Sequence, residues 1–288
     1  FADVDPRTGN LDAARVEPAI TRRTRAILPV SLYGQCADMT QINQVAQKHQ
    51  LPVIEDAAQS FGALHRGTKS CALSTIGCTS FFPAKPLGAY GDGGACFTAD
   101  ASLATVLRQV RDHGQDRRYH HARLGVNGRL DTLQAAVLLA KLDIFEDEIK
   151  NRQKVADRYA EKLFNLHRDG LLVLPFLHPH NTSSWAQYTL RVGVRDALLA
   201  AMTEQGIPTA VHYPVPLYEQ PALLQNDVDC PESGRAANEV LSLPMHPYLK
   251  PETQDRIIGT LANALVVTGS GDRLDYDAES LKHEDRNN

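Results

Sequence analysis

Pro52-Val53-Ile54-Glu55-Asp56-Ala57 decides the fold, read together with the earlier run Ala26-Ile27-Leu28-Pro29-Val30-Ser31-Leu32. Both are short apolar stretches, and the earlier one is closed by Tyr33-Gly34. Between them, residues 39–49 carry Ile42, Val45 and Ala46 on one helical face. Further strand-like runs follow at 79–82 and 95–98, then a helical stretch at 101–111. Strands separated by helices of about ten residues predict βαβ units in an α/β fold with a mostly parallel sheet. Ligands of such sheets collect at the carboxyl ends of the strands.

Beyond the loop 112–129, Leu130, Leu133, Val137, Leu138, Leu142, Phe145 and Ile149 trace one helix face. Asp131 with Gln134 three residues on reads as a capping box at its start. The pattern continues towards His167, so a long helix is expected to lead into a second domain. That domain has a strand at 188–192, a helix near 196–205 and Pro-rich loops. A last helix opens at Pro251, a favourable first-turn position, and is expected to bury Ile257, Ile258, Leu261 and Leu265. The division expected is a large domain over 1–150, a smaller α+β domain over 151–267, and a polar tail over 268–288 that reads as disordered. Phe1-Ala2-Asp3-Val4-Asp5 reads as the end of a strand, so the sequence is expected to begin inside a larger protein.

Composition narrows the function. The chain has 288 residues, 43% apolar and 22% charged, enough for a large core. A net charge of −4 excludes a generally basic nucleic-acid or membrane-surface binder. No apolar run reaches the roughly 18 residues of a membrane-spanning helix, and no secretory signal opens the sequence. The five cysteines, Cys36, Cys71, Cys78, Cys96 and Cys230, are dispersed and odd in number. They read as reduced thiols of a cytoplasmic protein. His120-His121 and His178-Pro179-His180 lack zinc spacing, and no metal site is expected. There is no G-x-G-x-x-G for a nicotinamide enzyme and no G-x-S-x-G elbow for a hydrolase.

Two residues suggest chemistry. Lys85 lies in Ser80-Phe81-Phe82-Pro83-Ala84-Lys85-Pro86-Leu87-Gly88, followed by Gly91, Gly93 and Gly94. A lysine in a partly desolvated, Gly-rich loop has a depressed pKa and can form a Schiff base. The plainer reading is a solvated loop lysine. Asp56 ends its strand either as a cap for the next turn or as an acceptor aimed at a ligand cation, such as a protonated pyridine nitrogen.

Taken together, Glu55-Asp56-Ala57-Ala58-Gln59, the Lys85 segment, Gly91-Asp92-Gly93-Gly94 and Gly125-Val126-Asn127-Gly128-Arg129-Leu130-Asp131 resemble the DegT/DnrJ family of sugar aminotransferases, in order and in spacing. The likeness runs from about residue 1 to residue 266. It implies the aspartate-aminotransferase fold (PLP fold type I), pyridoxal phosphate (PLP) as cofactor, and a homodimer with active sites at the subunit interface. By that resemblance Lys85 is the Schiff-base lysine and Asp56 the partner of the pyridine nitrogen. Gln59 lies beside the ring's phenolic oxygen, Ser80 binds the phosphate, and Asn127 binds the phosphate of the other subunit. Family members that act as dehydratases carry histidine in place of this lysine, so Lys85 argues for amino transfer. Family members also carry an N-terminal segment with a Gly-Thr turn for the phosphate and an aromatic residue that stacks on the ring. The sequence here lacks both, and N-terminal truncation is expected.

The stretch Arg111-Asp112-His113-Gly114-Gln115-Asp116-Arg117-Arg118-Tyr119-His120-His121-Ala122-Arg123 is rich in cations. It reads either as a solvated loop or as one that meets an anionic substrate. With His212-Tyr213-Pro214 and Met245-His246-Pro247-Tyr248, it looks like the branch that aminates C3 of a UDP-linked N-acetyl-3-oxo-glucuronate for lipopolysaccharide O-antigen. That likeness implies that Arg129, His212 and Tyr213 contact the sugar acid, with L-glutamate as amino donor. The competing reading is a truncated, catalytically silent remnant that serves as an interaction module.

Overall fold

The computed structural model describes residues 1–268. The remainder of the sequence, which is the tail expected to be disordered except for its first residue, Thr268, lies outside the described residues. The chain divides into two compact units: Phe1–Gln153 with Leu177–Ala186, and Lys154–Phe176 with the described residues from Gln187 onward.

In the first unit, α1 (Ala13–Ala19) and α2 (Met39–Lys48) are each started by an aspartate. Asp12 accepts the Ala14 N–H at 2.9 Å and Asp38 the Gln41 N–H at 3.1 Å, satisfying amides that the helices leave unpaired. Their apolar faces close a core of Val16, Ile27, Met39, Ile42, Ala46 and Val53. The strands follow: β1 (Ile54–Asp56), the small hairpin β2 (Leu64–His65) and β3 (Thr68–Lys69), then β4 (Ile76–Ser80) and β5 (Gly94–Phe97). The sheet order is β1-β4-β5. β1 and β4 are parallel with Asp56 opposite Cys78, whereas β4 and β5 are antiparallel with Ser80 opposite Gly94.

The run 26–32 joins this sheet only through two parallel bridges, Ile27 to Val53 and Val30 to Asp56. Pro29 between them has no N–H and interrupts the ladder, although its carbonyl still accepts the Asp56 N–H at 2.9 Å. The strand expected at 79–82 instead ends at Ser80, because Phe81 turns into the following loop. At the start of the chain, Val4 pairs with Leu11 in a local antiparallel bridge.

Next comes α3 (Ala101–Arg111), capped by Asp100 at the Ser102 and Leu103 amides. The cation-rich segment then folds into a hairpin of β6 (Gln115–Arg117) and β7 (His120–His121). The long helix is α4 (Thr132–Arg168). Its expected capping box is not made as read: the Gln134 side-chain oxygen accepts the Tyr90 N–H at 2.8 Å. Only part of its expected apolar face is covered. Leu138 and Phe145 are buried against Phe81, Leu87 and Ala89, while Leu130, Leu133 and Leu142 are exposed.

The second unit contains β8 (Tyr188–Arg191), α5 (Arg195–Glu204), α6 (Pro231–Glu239), β9 (Val240–Leu243) and α7 (Pro251–Thr268). β8 and β9 pair antiparallel, and every residue of both is buried. α5 and α7 contribute Leu198, Met202, Leu261 and Leu265 to the core, and Ile257 is buried as the periodicity of α7 requires. Between these parts, Leu177–Ala186 belongs to the first unit. The Asn181 amide explains why: its Nδ2 donates to Gln35 Oε1 and to the Cys36 carbonyl, and its Oδ1 meets His65 Nδ1 at 2.8 Å.

Candidate active site

Because β1 and β4 run parallel, their carboxyl ends open on the same side. There Asp56 and Ser80 line a cleft with Leu28, Ile54, Glu55, Ala58, Cys78 and Thr79. Asp56 is the last residue of β1 and is half-buried. Its Oδ1 accepts the Ala58 N–H at 3.0 Å, so the capping reading is correct for one oxygen. The Ser80 Oγ accepts the Phe82 N–H at 3.2 Å as the chain leaves β4.

Lys85 follows in a compact loop. Its N–H donates to the Phe82 carbonyl at 2.9 Å, and the loop is tied at its base by Phe81 N–H to Gly93 and Ala89 N–H to Phe81. Gly88 is required by this close packing: a Cβ there would lie 2.5 Å from the Pro83 carbonyl oxygen. Lys85 is half-buried. Burial holds its amine below the ordinary lysine range, and the nearby Asp56 carboxylate works in the opposite direction. Lys85 therefore lies near enough to Asp56 for the carboxylate to bear on its charge, though neither Lys85 nor Gln59 lines the cleft itself.

Gln59 is buried in the turn after β1, and its Oε1 accepts the Tyr33 N–H at 2.7 Å. Asn127 and Arg129 lie in the exposed segment around the β6–β7 hairpin and are not part of the cleft lining. Asn127 pairs with Asp112 in an antiparallel bridge. Arg129 Nη1 donates to Asp112 Oδ1 at 2.7 Å and meets His113 Nε2 at 3.1 Å. Hydrogen bonding to Arg129 holds the Asp112 carboxyl below its usual range. His212 and Tyr213 belong to the second unit, where His212 Nδ1 meets Ser242 Oγ at 3.0 Å and Tyr213 is exposed.

One residue has a role that the sequence reading did not assign. Glu55 is fully buried. Its Oε1 accepts from the Ser31 and Ser70 hydroxyls at 3.3 and 3.1 Å, and its Oε2 accepts the Cys71 N–H at 2.9 Å. Burial pushes its pKa up, and these three donors act against that shift. The available signal was period two: consecutive strand residues face opposite ways, so an acidic pair at a strand end divides into one buried and one cleft-facing carboxylate.

The donor set fits pyridoxal phosphate. A carboxylate can hold a protonated ring nitrogen, a partly desolvated amine can meet the aldehyde carbon, and a hydroxyl at a strand end can meet the phosphate.

Comparisons with known proteins agree with this chemistry. A 57% identical relative, over 91% of this chain and 72% of its own length, is the UDP-2-acetamido-2-deoxy-3-oxo-D-glucuronate aminotransferase of Pseudomonas aeruginosa. The crystal structure of a DegT/DnrJ/EryC1/StrS aminotransferase from Brucella abortus matches with a TM-score of 0.86 at 43% identity, covering 91% of this chain and 72% of that one. NtdA from Bacillus subtilis, solved with its cofactor PMP bound, matches with a TM-score of 0.83 at 30% identity, covering 92% of this chain and 62% of that one. The model of the DegT/DnrJ/EryC1/StrS aminotransferase family matches residues 1–262, and the chain belongs to that PLP-dependent family.

Proposed function

We propose that this chain transfers an amino group from L-glutamate to C3 of a UDP-linked 2-acetamido-2-deoxy-3-oxo-D-glucuronate, providing an amino sugar acid for lipopolysaccharide O-antigen. In this reading it works in the cytoplasm as a homodimer with shared active sites. The observation that carries it is the half-buried Lys85 amine within electrostatic reach of Asp56, in a chain 57% identical to an aminotransferase of that name. The alternative of a catalytically silent remnant is not favoured, because the relatives are aminotransferases and the lysine is present.

When bound, pyridoxal phosphate supplies an electrophilic carbon and an electron sink. The chain's own residues supply the rest. Asp56 holds a proton at the ring nitrogen. Lys85 Nζ, whose hold on its proton burial weakens, would take and return a proton as general base and acid. Ser80, together with Asn127 of a second copy, binds phosphate, and Gln59 borders the ring. Arg129 reads the sugar carboxylate. Only its Nη1 is engaged with Asp112 and His113, and its remaining donors have no partner among the described residues. By the family resemblance, His212 and Tyr213 are further proposed sugar contacts.

The test compares the UDP-3-oxo sugar acid with its C6-hydroxymethyl counterpart, with glutamate as donor. A charge-assisted contact is expected to favour the acid by about tenfold or more. Arg129→Ala should erase that preference, and Lys85→Ala should abolish transfer with the circular dichroism spectrum unchanged. Equal rates with both sugars would end the uronate assignment, and transfer by Lys85→Ala would end the lysine's role.

A further inference from the structure

The loop that carries Lys85 is held by one stripe of α4. Its base is tied to Phe81, yet two polar main-chain groups in its second half, the Gly88 carbonyl and the Tyr90 amide, have no partner in the sheet. α4 satisfies both. Lys141 Nζ donates to the Gly88 carbonyl at 2.6 Å and lies 4.9 Å from the centre of the Tyr90 ring. Gln134 Oε1 accepts the Tyr90 N–H at 2.8 Å. Gln134, Leu138, Lys141 and Phe145 are spaced four, three and four residues apart, one face of the helix. The two apolar members are buried against Phe81, Leu87 and Ala89 of the same loop.

We propose that Gln134 and Lys141 are positioning residues for the amino-transfer step, fixing the main chain beyond Lys85 so that its amine stays opposite Asp56. The inference rests on the aminotransferase reading above. Neither side chain is placed against substrate or cofactor; each acts through the loop. An ammonium on a main-chain carbonyl is a charge-assisted bond, stronger than a neutral one. Gly88 is three residues from Lys85, so release of that carbonyl frees the turn that presents the amine. The apolar contacts of Leu138 and Phe145 hold the loop against the helix but do not set its register, because dispersion contacts are not directional.

The test uses Lys141→Met and Gln134→Leu, which keep most of the side-chain bulk and lose the hydrogen bond. Their counterparts Lys141→Arg and Gln134→Glu retain a donor and an acceptor, respectively. Amide hydrogen exchange of the purified chain, read without cofactor, should speed up by about tenfold in the loop 86–90 of the first pair. Exchange in α2 and α7 should be unchanged, and the second pair should match the wild type. In turnover, the first pair should lose kcat by a similar factor while KM for the amino donor moves by less than twofold. Loop exchange identical to wild type in Lys141→Met and Gln134→Leu would overturn the proposal. So would a loss of protection spread evenly over the chain, or a failure of Lys141→Arg to restore kcat. A wild-type protein without amino-transfer activity would refute the function and leave the exchange contrast to judge the anchoring alone.

Discussion

Glu55 and Asp56 are neighbours with opposite tasks. Asp56 ends β1 at the cleft, and Glu55 is buried on the other side of the strand, where it fastens Ser31, Ser70 and Cys71 to the sheet. Its elevated pKa has a consequence for stability. Between the ordinary value of 4.5 and the raised folded value, the native state binds more protons than the unfolded chain. Stability from this group is therefore greatest in acid and falls as pH rises through that window. Glu55→Gln removes the titration. It also leaves one acceptor short, because an amide cannot accept from two hydroxyls and a backbone N–H at opposite ends. The variant should be less stable at neutral pH by about 1–3 kcal/mol. Its disadvantage relative to wild type should shrink as pH rises from 4.5, which urea midpoints measured across that range would reveal. Parallel profiles for the two proteins would mean that Glu55 does not titrate in the window.

At the scale of elements, the decisive piece is the turn between β4 and β5. Gly88→Ala would place a Cβ 2.5 Å from the Pro83 carbonyl and 2.9 Å from that of Phe82. Both are main-chain atoms, so the turn itself has to move. A cost of about 1–3 kcal/mol is expected, with loss of most turnover because Lys85 moves with the turn. Full activity in Gly88→Ala would show that this turn does not set the amine. Of the helices, α2, α3 and α5 were legible in the sequence to within a residue or two, and two of them begin at a capping aspartate, whereas α1 and α6, short and with few apolar residues, were not read. The strand 26–32 was over-read: its pattern is apolar, but Pro29 breaks the ladder. Asp56 and Lys85 stand out locally, as a charged residue at a strand end and a lysine among glycines, but those signals left the cap and the solvated lysine open, and the roles proposed for both come from the family resemblance. The bonds from Gln134 to Tyr90 and from Lys141 to Gly88 span 44 and 53 residues. No periodicity predicts which polar side chain of a helix will meet a distant loop, and the capping-box reading of Gln134 failed for that reason.

For the whole molecule, the informative fact is the apolar surface of the first unit left open to water. Leu124 is 96% exposed and Leu133 80%, and Leu139, Leu142 and Ile144 of α4 are exposed as well. Each leucine gains about 1.5–3 kcal/mol when such a side chain is buried, and several exposed apolar side chains on one helix favour association. A second copy is the occupant proposed here, in line with the phosphate contact proposed above for Asn127 of a second copy. In a two-fold interface the same patch is buried on both subunits, so charges placed in it are buried without partners and bring like charges together. Leu139→Glu combined with Leu142→Glu, three residues apart on one exposed face of α4, should therefore convert the protein from twice the mass of one chain to a single chain in sedimentation at micromolar concentration. The first unit should stay folded, because Leu138 and Phe145, not these residues, carry the inward packing of α4. Amino transfer should fall with the dimer fraction as the variant is diluted. A wild-type protein that sediments as a monomer while fully active would remove the shared-site arrangement, and a variant that remains dimeric would put the interface on another face.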